Sequence, residues 1–371
     1  MVVNRERIVN EFLQLVQVDS LTRNERQMAD LIKGKLREMG IDCVEDGAGE
    51  KIGGNTGNII CTVKGGKPVP AILLMAHMDT VSPGIGKKPV VEDGYIRSDG
   101  TTVLGGDDVA GIVSIFEALR VIREDGIPHG DIQIAFTVAE EGGLYGSKNL
   151  DYSLIYAKYG IVLDNGVTVG SAAVKAPSQD KIYVEVIGKA AHAGVCPEEG
   201  VSAIQIASEA IAGMKLGRID FETTANIGVI GGGTETNIVC DRVSIKAEAR
   251  SRDKRKLEEQ TAHMKECFEK AARRYGGSVE FKSELIYPSY DIPRDSYIIG
   301  ILEKAAAEEG LELKLVETGG GSDTNIINGK GIQAVDMSVG MDKVHSVEER
   351  ILIDDLVKAA GFLTAIISNV E

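Results

Sequence analysis

Histidine is scarce in this sequence, five among 371 residues, so the company each one keeps is informative. His77-Met-Asp79 follows directly on the apolar run Ala71–Ala76. Leu104-Gly-Gly-Asp107-Asp108 opens what reads as a helix, whose positive end favours the two adjacent carboxylates that otherwise repel each other. Glu140-Glu141-Gly-Gly follows the run Asp131–Val138, and paired carboxylates there are costly unless a cation neutralises them. Asp164-Asn-Gly closes the run Gly160–Leu163, and His345 stands between the run Gln333–Val339 and the last helix. Taken singly, each has an ordinary structural reading: a hydrogen bond, a cap, a solvated charge. Together they put two histidines and at least three carboxylates at one edge of one sheet, where ligands collect in open α/β folds. Nitrogen and oxygen donors without sulfur suit a pair of divalent ions such as Zn²⁺ or Co²⁺. Two ions roughly 3.5–4 Å apart can share a carboxylate and a water. Neighbouring side chains point to different sides, so Glu140 and Glu141 need different tasks. One ligates, and the other takes the proton of the water.

The elements that must hold these residues are legible. Thr22-x-x-Glu25 reads as a capping box ahead of Met28, Leu31, Ile32 and Leu36 at helical spacing, with Gly40 as the stop. Strand-like runs at Ile41–Glu45, Asn58–Val63, Ala71–Ala76, Asp131–Val138 and Gly160–Leu163 alternate with a helix over Gly111–Glu124. That order predicts an α/β sheet covered on both sides. Near Asp180 the pattern changes. Lys181–Ile187 alternates apolar and polar residues, as a sheet with one wet face does. Helix Val201–Met214, strands Thr224–Ile230 and Val243–Arg250, helix Asp253–Tyr275 and strand Ser278–Ile286 complete a β-α-β-β-α-β order, that of a ferredoxin-like sandwich. After Pro288 the first pattern resumes with helix Ser296–Glu309, strands Leu311–Val316 and Gln333–Val339, and helix Glu348–Ile367. The expected architecture is a catalytic α/β domain with a mixed sheet over 1–178 and 288–371, interrupted by a sandwich domain at 179–287. The near-identical segments Gly231–Ile238 and Gly319–Ile326 read as Gly-rich turns, either plain or presenting N–H groups to an anion.

Composition narrows the function. With 41 basic and 56 acidic residues the net charge is −15, which argues against a general nucleic-acid or anionic-membrane binder. Cys43, Cys61, Cys196, Cys240 and Cys267 show no CxxC spacing and are odd in number, so they are neither a disulfide framework nor a thiolate metal site. They read as reduced thiols of a cytoplasmic protein. The first residues carry charges where a signal peptide needs an apolar core, and no run is long enough to span a membrane.

These motifs, in this order, resemble those of the co-catalytic di-zinc peptidases and amidohydrolases, the family of peptidase T, the aminoacylases and carboxypeptidase G. The resemblance rests on Ala76-His77-Met-Asp79-Thr-Val, Gly105-Gly-Asp107-Asp108-Val-Ala-Gly, Ala139-Glu140-Glu141-Gly-Gly, Ala191-His192-Ala-Gly, Gly320-Gly-Ser-Asp-Thr-Asn325 and His345-Ser-Val-Glu-Glu, and it is nearest to the peptidase T branch. It implies that His77, Asp107 and Asp164 hold one metal, and that Asp107 bridges to a second completed by Glu141 and His345. Zn²⁺ is the implied ion, with Co²⁺ or Mn²⁺ as alternatives. Asp79 would hydrogen-bond His77 and fix its tautomer. Glu140 would be general base and then acid, and a cis peptide bond would join Asp107 to Asp108. Within the inserted lid or dimerisation domain, His192 matches a histidine that enters a partner's active site, implying a homodimer. Asn237 and Arg250 match substrate-binding positions, and Arg250 could grip a peptide carboxylate bidentately. His129 and His263 read as solvated. The implied activity is a metal-dependent exopeptidase releasing the N-terminal residue of short peptides; hydrolysis of N-acyl or N-carbamoyl amino acids, or carboxypeptidase action, is the alternative.

Overall fold

The computed structural model describes residues 2–166 and 168–371, and the chain divides into two compact units. The first comprises the chain up to Val174 with Asp291–Glu317 and Ser322–Glu371. The second comprises Lys175–Tyr290 and the short return Thr318–Gly321.

The first unit is built on a mixed sheet. Its strands run in the order Cys43–Glu45, Ile59–Val63, Ile132–Thr137, Ile72–His77, Tyr159–Asn165, Gln333–Ser338 and Ser171–Ala176. The four from Ile132–Thr137 to Gln333–Ser338 are parallel, and their neighbours on either side are antiparallel. Ile72–His77 and Ile132–Thr137 are buried along their whole length, the reason their sequences are continuously apolar rather than alternating. Helix Gly106–Glu124 covers one face together with Arg5–Val16 and Ile353–Ser368, while Leu73, Met75, Ala135 and Val162 pack on the other against Ile327 of the helix Asp323–Gly329. Parallel register sets the ends: His77 lies opposite Thr137, and Met75 opposite Val162. The carboxyl ends of these strands therefore share one edge: Asp164 lies among the last residues of its strand, and the segment leaving Ile132–Thr137 carries Glu140 and Glu141.

In the second unit Thr223–Gly232, Arg242–Ser251, Ser178–Ile187 and Ser278–Tyr287 form an antiparallel sheet, with the two-residue strand Gly217–Arg218 on the outer edge. In order along the chain these four principal strands are second, third, first and fourth, the ferredoxin-like arrangement. Helices Ala203–Ala212 and Lys254–Tyr275 cover one face, where Ile182, Val184 and Val186 meet Ile206, Met264 and Phe268. Tyr183, between those strand residues, is exposed on the opposite face. The alternation read in the sequence is this difference between faces.

Two local expectations fail. The last helix starts at Ile353, not Glu348, because Arg350–Leu352 is a strand paired antiparallel with Tyr95–Arg97. Thr22 and Glu25 form no capping box: helix Arg26–Glu38 has no side-chain cap. Thr22 Oγ1 donates to Asp79 at 2.7 Å, and Glu25 accepts the N–H of Ala139 at 3.0 Å. Glu25 also accepts the neighbouring Arg23 N–H at 2.7 Å, so neither residue closes the reciprocal pair of a capping box.

Candidate metal centre

At the shared edge, His77 Nε2 stands 2.9 Å from Asp107 Oδ1 and 3.6 Å from Asp164 Oδ1. On the other side of Asp107, His345 Nε2 stands 3.2 Å from Oδ2 and 2.7 Å from Glu141 Oε1. The geometry thus brings together two groups able to hold a metal ion, His77–Asp107–Asp164 and Asp107–Glu141–His345, with Asp107 common to both. A carboxylate offering one oxygen to each group can bridge two ions. Glu141 Oε1 is buried yet accepts no hydrogen bond, although the His345 nitrogen is so close. A buried carboxylate oxygen left without a hydrogen bond beside an imidazole nitrogen is chemically suited to take an ion as its partner. The residues fit a pair of divalent ions.

The local backbone explains how the side chains are presented. Gly105, at φ +74°, precedes the turn, and the Asp107–Asp108 peptide is cis. Asp107 and Asp108 are not helical, so the regular helix begins behind them. Gly111 has no room for a Cβ, which would fall 2.5 Å from Asp108 Oδ1 and 2.8 Å from the Leu163 carbonyl. Ala139 and His345 occupy the left-handed region at φ +49° and +61°, which costs a non-glycine residue on the order of 1–3 kcal/mol. Both flank or carry the site's functional groups.

His77 donates its Nδ1 hydrogen to the Asp79 carbonyl at 2.8 Å, and a carbonyl can only accept, so Nε2 is the free ligand atom. Asp79 thus bonds His77 through its backbone, while its carboxylate lies 3.6 Å away. That carboxylate also accepts the N–H groups of Glu140 at 2.8 Å and Glu141 at 3.3 Å, tying down the backbone of both glutamates. Other buried carboxylates repeat the device. Asp108 accepts the His77 N–H at 3.2 Å, Asp336 that of Asp164 at 3.2 Å, and Glu349 that of Asp107 at 3.0 Å. Asp323 receives the hydroxyls of Thr137 and Ser147. Of this supporting set only Asp79 is assigned such a role by the motifs. The available signals are an Asp inside the strand Gln333–Ser338 and the second Glu of His345-Ser-Val-Glu-Glu.

The field of so many acids is one-sided. Burial holds Glu140 and Asp164 well above the ordinary carboxylate range, with Asp164 acting on the former and Asp107 on the latter. Burial likewise lifts Asp79 to about 6 and Asp336 and Glu349 to about 7. Asp107 and then Glu141 push the His345 imidazole up to about 10. Buried acids in this excess call for cations.

In the second unit His192 sits in a loop bridged to Ile238, and the Asn237 carbonyl accepts the Ala193 N–H at 2.9 Å, so His192 and Asn237 are neighbours. Arg250 lies on the strand Arg242–Ser251, its guanidinium held by both oxygens of Glu248 at 3.0 and 3.2 Å. The two Gly-rich segments differ: Ser322 caps the helix Asp323–Gly329 with a full capping box, whereas Gly231 and Gly232 end a strand. His129 and His263 are not simply solvated, since each makes a backbone hydrogen bond.

The model of the M20/M25/M40 peptidase family matches residues 73–369. The chain belongs to this family and is a peptide hydrolase. An uncharacterized protein, YqjE of Bacillus subtilis strain 168, is 49% identical over 367 residues, covering 99% of each chain. The crystal structure of aminopeptidase PepT from Bacillus cereus ATCC 10987 is 48% identical with a TM-score of 0.93, covering 99% of both chains. That of a tripeptidase from Staphylococcus aureus Mu50 is 44% identical with a TM-score of 0.97, covering 100% of this chain and 99% of the other.

Proposed function

We propose that the chain is a two-metal exopeptidase that releases the N-terminal residue of short peptides. The observation that carries this reading is Asp107, whose two oxygens face two separate donor groups, with buried Glu140 in the field of Asp164 and His77. The full-length likeness to an aminopeptidase and a tripeptidase supports the substrate class.

Two divalent ions bound there supply a Lewis acid for the scissile carbonyl and ease deprotonation of the attacking water. Glu140 takes that proton. It then hands the proton to the amide nitrogen as the C–N bond breaks, so that the amine can leave. Asp79 fixes the Glu140 and Glu141 backbone so that one carboxyl serves as base while its neighbour ligates. We take Zn²⁺ as the resident ion from the mixed imidazole and carboxylate donors, with Co²⁺ or Mn²⁺ as substitutes.

We also infer a homodimer through the second unit, in which His192 of each chain serves the other's site. Support comes from Val195, Ile204 and Ile238, which leave apolar surface exposed in the same unit as His192. Mixed dimers of His192→Ala and Glu140→Gln chains should regain activity, since one site then has both groups. Confirmed subunit exchange without recovered activity would remove His192 from the shared site. A cytoplasmic location rests on five free cysteines, and no helix among the described residues is long and apolar enough to cross a membrane.

The test of substrate class is a panel of di-, tri- and tetrapeptides and N-acyl amino acids assayed with added Zn²⁺, Co²⁺ or Mn²⁺. The expected product is the free N-terminal residue, and N-terminal acetylation should abolish turnover. Release of C-terminal residues, or faster cleavage of N-acyl amino acids, would overturn the proposal.

A further inference from the structure

Glu349 ties together the two ligand-bearing segments that no sheet register aligns. Asp107 lies in the turn before a helix, and His345 in a loop between short strands. The Glu349 carboxylate accepts two backbone N–H groups of that turn, Asp107 on Oε1 at 3.0 Å and Gly105 on Oε2 at 2.9 Å. Its own N–H donates to the Ser346 carbonyl at 3.1 Å, next to His345, and its carbonyl accepts the Ser98 N–H at 3.0 Å. The residue is 1% exposed. The nearby Lys87 ammonium is engaged by the Val18 and Gly84 carbonyls, so the carboxylate is spent on the two amides.

We propose that Glu349 is a positioning residue for the second metal group, setting the approach of Asp107 Oδ2 to His345 Nε2. The proposal rests on the two-metal reading of the site. Each carboxylate oxygen must accept, because an N–H group faces it. A glutamine of the same shape turns an NH₂ toward one of those donors and loosens the turn on the His345 side. The His77 group keeps its own supports, Asp108 and Asp336.

The experiment is equilibrium dialysis of metal-stripped full-length protein against Co²⁺ alone, comparing wild type, Glu349→Gln, Glu349→Asp and Glu348→Gln. Glu348 is exposed and pairs with Lys343, so its variant controls for the loss of a neighbouring charge. Wild type and Glu348→Gln should bind two ions. Glu349→Gln should bind the second ion about 10–100-fold more weakly, the usual loss when a ligand's support is removed, with the first ion changed less than ~3-fold. Glu349→Asp keeps the charge but shortens the arm, and should show the same selective loss if Glu349→Gln does not fold. Equal weakening of both ions, or an unchanged second ion in a folded Glu349 variant, would overturn the proposal. One ion in the wild type would overturn the two-metal reading beneath it.

Discussion

The two donor groups of the candidate metal centre share Asp107 and differ in almost everything else. His77 is 2% exposed, ends a buried strand, has its N–H held by Asp108, and has its Nδ1 fixed by the Asp79 carbonyl. Asp164 closes the neighbouring parallel strand, and Asp336 holds its N–H. On the other side the His345 side chain is 51% exposed on a left-handed loop residue, and among the described residues nothing fixes its Nδ1. One half is enclosed by buried neighbours; the other presents an exposed imidazole with fewer holds. Fixing the freer imidazole on an ion costs binding energy, so the His77 group should be the tighter site.

Glu140→Gln should have the largest effect on turnover and the least on this asymmetry. We expect kcat to fall ~10²–10⁴-fold with both ions retained, as for a lost general base. Near-normal turnover in the metal-loaded variant would remove Glu140 from the mechanism. Ligand deletions should split the halves. His345→Ala should retain one tightly held ion per chain by elemental analysis, whereas His77→Ala should leave only weak binding. Equal retention by both variants would break the comparison. Asp336→Asn, which weakens the support of Asp164, should loosen the first ion about 10-fold in Co²⁺ dialysis and spare the second, the reverse of Glu349→Gln.

The smallest effect concerns stability without metal. Burial lifts Asp336, Glu349 and Glu25 to about 7 in the folded chain, above the unfolded value near 4. A carboxyl with a raised folded pKa binds more protons folded than unfolded, so its contribution is complete below the unfolded pKa. That contribution disappears as pH rises through the folded value. The raised His345 acts in the same direction. The metal-free protein should therefore lose a few degrees of Tm between about pH 5 and pH 8, and bound ions should flatten that slope. A Tm that rises over this interval would show that the buried acids are not protonated when the ions are removed.

What could be read from sequence follows the same division. The parallel strands announce themselves because burial on both faces leaves a local apolar signature, and the acids at their ends stand out against it. The supports are invisible locally. Thr22 and Glu25 match a capping box, but Thr22 bonds distant Asp79, and Glu25 divides Oε1 between neighbouring Arg23 and distant Ala139. Glu349 falls in a stretch whose apolar spacing continues that of the last helix, and only its pairing beside Tyr95–Arg97 shows otherwise. Ser171–Ala176, small and mildly polar, gave no strand signal, yet it borders Gln333–Ser338. Side chains that act on a distant backbone leave no periodicity to detect.

The most direct test of the asymmetry is a crystal of metal-stripped protein soaked with Zn²⁺ at one equivalent and then at two, with anomalous scattering used to measure occupancy at each group. At one equivalent the ion should lie between His77, Asp107 and Asp164, with Glu141 and His345 filled only at two. Equal occupancy of both groups at one equivalent, or filling of the His345 group first, would contradict the account.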